Sequence, residues 1–102
     1  WAYQITYRAF TPKPAECTNL LVPGAASYTH TAFCTYRLES TWMMGGHAAG
    51  VAAAMAAKQD KTVQDINVPA LPARLREQKQ IVDFPPGAPH RFQGGTAGPP
   101  EF

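Results

Sequence analysis

The stretch Thr41-Trp-Met-Met-Gly-Gly-His-Ala-Ala-Gly-Val-Ala-Ala-Ala-Met-Ala-Ala-Lys58 decides the reading of this chain. Nearly all of it is small or apolar, no charge interrupts it before Lys58, and alanine, the best helix former, fills its second half. A buried helix from about Trp42 to Ala57 is expected. Gly45, Gly46 and Gly50 fall in its first half, where each costs about 1 kcal/mol relative to alanine. Close approach offsets such a cost, because a backbone or a flat ligand can lie against a helix that lacks Cβ atoms. Gly46, Gly50 and Ala54 share one face at four-residue spacing. A membrane span needs roughly 20 consecutive apolar residues. This run is shorter, contains His47 and ends in Lys58-Gln-Asp-Lys61, so no span is expected. Two uses stay open from the stretch alone. The helix can pack its small residues on a neighbour, or its N-terminus can face an anionic or electron-rich ligand.

Upstream, Asn19-Leu-Leu-Val-Pro-Gly24 is a continuous apolar run closed by Pro-Gly, the pattern of a central strand buried on both faces. Ala25 to Ser40 is rich in hydroxyls and rings, and loops at the carboxyl ends of strands are where α/β proteins bind ligands. Ser40 or Thr41 can cap the helix that follows. Tyr3 to Phe10 alternates imperfectly and reads as a half-buried strand. Pro12 and Pro14 then break any ladder.

Downstream, Leu71 and Leu75 mark a shorter helix near Ala70 to Lys79, with Asn67 as a cap and Pro69 in its first turn. Pro72 strains that placement. Arg74, Arg76, Glu77 and Lys79 read as a solvated face. The final segment holds Pro85, Pro86, Pro89, Pro99 and Pro100 with several glycines, and regular structure is not expected there. With 102 residues there is room for one small domain. The net charge of +2 is carried by scattered basic residues, which gives no reason to expect nucleic acid binding. Cys17 and Cys34 match no metal or redox spacing and read as free thiols, and no export signal is visible. A soluble protein is expected, with the cytoplasm favoured over the periplasm or secretion. His30, Cys34 and His47 offer nitrogen and sulfur, but their spacing follows no known ligand set and no metal is expected.

A linked series from Tyr3 to Phe84 resembles the carboxyl-terminal part of bacterial FAD-dependent oxidoreductases with a glutathione-reductase-like flavin domain. It comprises Ile5-Thr-Tyr-Arg8, Asn19-Leu-Leu-Val-Pro-Gly24, Ser27-Tyr-Thr-His30, Arg37-Leu-Glu39, Met44-Gly-Gly-His-Ala-Ala-Gly50 and Val63-Gln-Asp65. The resemblance implies an α/β fold. Residues 1–84 would be an incomplete strand, loop and helix piece of a Rossmann-like FAD-binding domain with a short second helix, and 85–102 an irregular Pro/Gly-rich tail. The adenosine-diphosphate fingerprint Gly-x-Gly-x-x-Gly is absent from the sequence, so the chain is not expected to hold FAD unaided.

The same resemblance implies the site. The helix N-terminus would point at the flavin ring, with Gly24, Ser27, Met44, Gly45, Gly46 and His47 as cofactor-binding residues. Positive dipole there suits the charge that reduced flavin gathers. His30 would move a proton and Arg37 would hold a substrate carboxylate or the flavin edge. The implied partners are a small-molecule substrate and the remainder of the flavin domain. Its activity would be hydride transfer between an organic substrate and FAD. The alternative is a non-enzymatic α/β interaction module whose glycine-rich helix packs on a partner chain. His47 in place of a commoner glutamine, Cys34-Thr35, and Ser40 after Glu39 depart from the pattern.

Overall fold

The computed structural model describes residues 4–83. Among them the regular elements are a 3-10 turn at Tyr7–Phe10 and three helices, α1 (His30–Tyr36), α2 (Glu39–Gln59) and α3 (Ala70–Glu77). No strand is present among these residues. The expected Rossmann-like strand, loop and helix arrangement is therefore overturned, and with it the α/β form of the interaction module. The irregular tail expected at 85–102 lies outside the described residues.

The expected helix stands, since α2 contains the whole of Trp42 to Ala57 and runs further at both ends, but it is not a buried one: Gly45, Ala49, Ala52 and Ala56 are its buried residues, and Trp42, Met43 and Met44 are exposed. Its start differs from the sequence reading. Neither Ser40 nor Thr41 caps it, because both lie inside the first turn; Leu38 occupies the cap position without a side-chain bond. The Leu38 carbonyl instead accepts from the N–H groups of Thr41 (3.0 Å) and Trp42 (3.1 Å). At the other end Asp60 turns left-handed (φ 50°, ψ 47°), and Lys61 N–H reaches the Ala56 carbonyl at 3.0 Å. That pairing satisfies carbonyls the helix leaves open.

The inward face of α2 is Gly45, Ala49, Ala52 and Ala56, with spacings of four, three and four. Small residues there let α2 sit close to Phe10, Tyr36, Leu71 and Leu75, which form the core with Tyr7, Val63 and Ile66. An added Cβ at Gly45 would overlap the Tyr36 hydroxyl. Gly46 and Gly50, on the face singled out from the sequence, meet nothing within 4 Å.

Both expected strands fail for local reasons. Tyr7 and Phe10 are both buried and three residues apart, a spacing that places them together on a 3-10 turn. Alternation would have separated them. Around Leu20 to Val22 the chain runs irregularly past this turn, with Val22 N–H on the Phe10 carbonyl and Ser27 N–H on the Ala9 carbonyl, each at 2.8 Å. A 3-10 turn offers two outward carbonyls and no ladder, so Leu20 stays 47% exposed. The connection from Ala25 to Ser40 proves to be mostly helix. Thr29 starts α1 by accepting the Ala32 N–H on its hydroxyl at 3.3 Å.

The chain from Thr62 to Ile66 locks the amino-terminal half in place. Val63 N–H bonds the Thr18 carbonyl at 3.0 Å, and the Gln64 amide donates to the carbonyls of Pro12 (3.1 Å) and Cys17 (2.7 Å). Tyr7 donates its buried hydroxyl to the Val63 carbonyl at 2.7 Å. The shorter helix α3 starts after Pro69 rather than being capped by Asn67. Pro72 therefore falls in the first turn, where its missing N–H leaves nothing unsatisfied. Leu71 and Leu75 are buried against α2, as their spacing predicts.

Candidate functional site

Tyr36 is the hinge of the region that the sequence singles out. It is 2% exposed, packs at a tilt against Tyr28 at a centroid distance of 4.7 Å and against Phe10 at 6.0 Å, and donates to the Pro23 carbonyl at 2.5 Å. Its ring fills the hollow over Gly45. The Pro23 carbonyl and Gly45, distant in sequence, thus both meet the Tyr36 hydroxyl. Burial pushes the Tyr36 hydroxyl above its ordinary pKa, and does the same to Tyr7.

The four α2 residues named from the sequence divide between faces. Successive residues of a helix are rotated by about 100°, so Gly46 lies about 200° around the axis from Met44. Met44 and Gly45 face a cleft of about 610 Å³ bounded by the 3-10 turn, α2, α3 and the chain from Gln80 to Asp83. Gly46 faces away from it into open space. His47 turns toward α3, where its Nε2 lies 2.5 Å from the Gln78 side-chain oxygen. Met44 to His47 also occupy the second and third turns, where backbone N–H groups bond within the helix. The N–H groups left open at the start of α2 are those of Leu38, Glu39 and Ser40.

His30 and Arg37 stand at opposite ends of α1, His30 as its first residue and Arg37 as its C-cap, about 10 Å apart at 1.5 Å per residue. Both are exposed, as are Gly24 and Ser27. Cys17 and Cys34 are free, and no group of three or more metal-ligating side chains occurs among the described residues. No helix among them is long and apolar enough to cross a membrane. Tyr36 and Gln80 escaped the sequence reading. Tyr36 sits in a polar stretch with nothing local to set it apart, and Gln80 follows α3 in a run of charged residues.

A family model described as FAD dependent oxidoreductase matches residues 1–75, most of the chain. This chain belongs to that family. The family's cofactor is FAD. No curated protein and no solved structure matches the chain.

FAD carries a flat ring and a diphosphate, which make different demands on a protein. The Gly46 face leaves room for a flat group, since an added Cβ there would meet no atom within 4 Å beyond the adjoining helix, and Gly50 is equally open one turn later. Nothing here fits the diphosphate, whose glycine-rich fingerprint is missing from the sequence. Gly45 is taken by Tyr36 and is not free for a ring.

Proposed function

We propose that this chain forms the flavin-ring side of an FAD-dependent oxidoreductase that transfers a hydride between an organic substrate and FAD. In this proposal the remainder of the flavin domain holds the adenosine diphosphate. FAD, when bound, supplies the two-electron acceptor. Gly46 backs the ring, with Gly50 beside it, and Ser27 and Gly24 line the approach from the loop before α1. His30 holds or passes the substrate proton at its imidazole, and the Arg37 guanidinium pairs with a substrate carboxylate. The family match over residues 1–75 carries this reading. It also favours an enzyme over a non-enzymatic interaction module.

The test uses the FAD-loaded full-length protein. Gly46→Val should lower flavin occupancy or shift the reduction potential, because branched carbon would stand where the ring rests. Lys58→Ala, near the far end of α2, should do neither. His30→Ala should slow flavin reduction by substrate by about 10²- to 10⁴-fold, the usual scale of a lost general acid or base, without loss of the flavin. Full occupancy and an unchanged potential in the valine variant would refute the flavin contact.

A further inference from the structure

Beyond α3 the chain reverses, and Gln80 to Asp83 return toward α2 and the amino-terminal segment as one wall of the cleft. The reversal is made at Lys79, whose φ of 63° is left-handed, and Gln80 N–H closes it on the Leu75 carbonyl at 3.0 Å. A residue bearing a Cβ takes that conformation at a cost. Three kinds of contact hold the segment down. Val82 packs on the core, Gln80 Nε2 donates to the Met44 carbonyl at 3.2 Å, and Asp83 accepts from the Gln4 amide at 2.9 Å while ion-pairing with Arg76 of α3. The Arg76 and Asp83 side chains are 54% and 43% exposed, so their pairing is a weak latch.

The same closure buries Gln80 Oε1 with no donor to meet it. Solvent does not reach that oxygen while the segment is down, and the amide gains nothing by inverting, since the Met44 carbonyl can only accept. A buried acceptor left unmade is costly, and the cost vanishes when the side chain swings into water. Opening exchanges a half-buried valine, an amide hydrogen bond and an exposed ion pair for a hydrated carbonyl and a relaxed backbone at Lys79.

We propose that Gln80 to Asp83 form a strap that opens and closes on the folded chain, turning at Lys79 and latched by Asp83, so that the wall it makes is removable. The family match ends at residue 75, before the strap begins, so the device stands or falls apart from the flavin reading. The test is iodoacetamide labelling of Val82→Cys in the full chain carrying Cys17→Ser and Cys34→Ser. Labelling should be slower than at Ile81→Cys, where the side chain is already 74% exposed. Its rate should stay level in urea below the unfolding transition, because lifting so short a segment exposes little surface. Gln80→Met keeps the length of the side chain and removes the buried acceptor, so it should slow labelling by about tenfold. Asp83→Ala releases the latch and should speed labelling by about threefold, and added salt should speed the chain with Asp83 but not this variant. Hydrogen exchange of the residue-80 amide, freed from the Leu75 carbonyl when the turn opens, reads the same motion without an added cysteine and should rank the chains in the same order. Labelling that climbs with urea in step with global unfolding would mean a fixed segment, and labelling as fast as at position 81 would mean that no closed state exists. Either result, a Gln80→Met chain that labels no more slowly, or a different order in hydrogen exchange would overturn the proposal.

Discussion

A methyl group added at Gly45 must displace the Tyr36 hydroxyl, and that hydroxyl is held by the Pro23 carbonyl while its ring is wedged between Phe10 and Tyr28. Overpacking of this kind costs about 1–3 kcal/mol, against about 1 kcal/mol gained by replacing helical glycine with alanine. Gly45→Ala should therefore lower stability by about 1 kcal/mol in urea melts. Gly46→Ala and Gly50→Ala add their methyls to open space and should each raise stability by about 0.5–1 kcal/mol. The buried phenols give a second expectation. Burial raises the pKa of Tyr7 and Tyr36 above the ordinary 10.0, so the unfolded chain ionises first as pH climbs. Their contribution is complete below pH about 10 and is lost as pH rises through the raised folded values. Urea midpoints should hold steady from pH 8 to 9.5 and then fall. Tyr36→Phe should flatten the fall, at a cost of about 1 kcal/mol near neutrality for the unpaired Pro23 carbonyl.

At the scale of elements, Asp60 is the weak joint of α2. It holds a left-handed conformation that glycine adopts freely, and it places a carboxylate at the negative end of the helix dipole. Asp60→Gly should stabilise the chain by about 0.5–1 kcal/mol, read as a shift in melting midpoint with unchanged helicity. Thr29→Ala removes the hydroxyl that starts α1 and should cost about 1 kcal/mol. These two ends also show what a sequence discloses. The body of α2 and the Leu71 and Leu75 face of α3 were legible because alanine content and i, i+4 spacing act locally. The strands were misread because an apolar run such as Leu20 to Val22 has no period of its own, and its fate was set by a 3-10 turn offering two carbonyls. Site legibility follows the same line. Glycine clustering marked α2 as a place of close approach, but only the contact with Tyr36 separates the glycine that receives a side chain from those left open.

The molecule as a whole has a thin core. Its described buried hydrophobics include four alanines and no large side chain below 2% exposure, while Leu38 is 58% and Met43 75% exposed, with Trp42 between them at 39%. Leu38, Trp42 and Met43 sit together at the start of α2, next to the Gly46 face. The flavin-domain remainder proposed above would cover this corner, since apolar side chains grouped on a surface mark contact sites. Met43→Lys distinguishes covered from uncovered surface. In the chain of 102 residues the lysine stays in water, and stability should change by no more than about 0.5 kcal/mol. In the FAD-loaded full-length protein the same lysine would have to enter an apolar contact, where an unpaired charge is strongly disfavoured. Flavin occupancy and melting temperature should both fall there, while Gln59→Lys at the opposite end of α2 should alter neither protein. Equal tolerance of Met43→Lys in both settings would mean that the corner is ordinary surface and that the flavin domain is completed elsewhere.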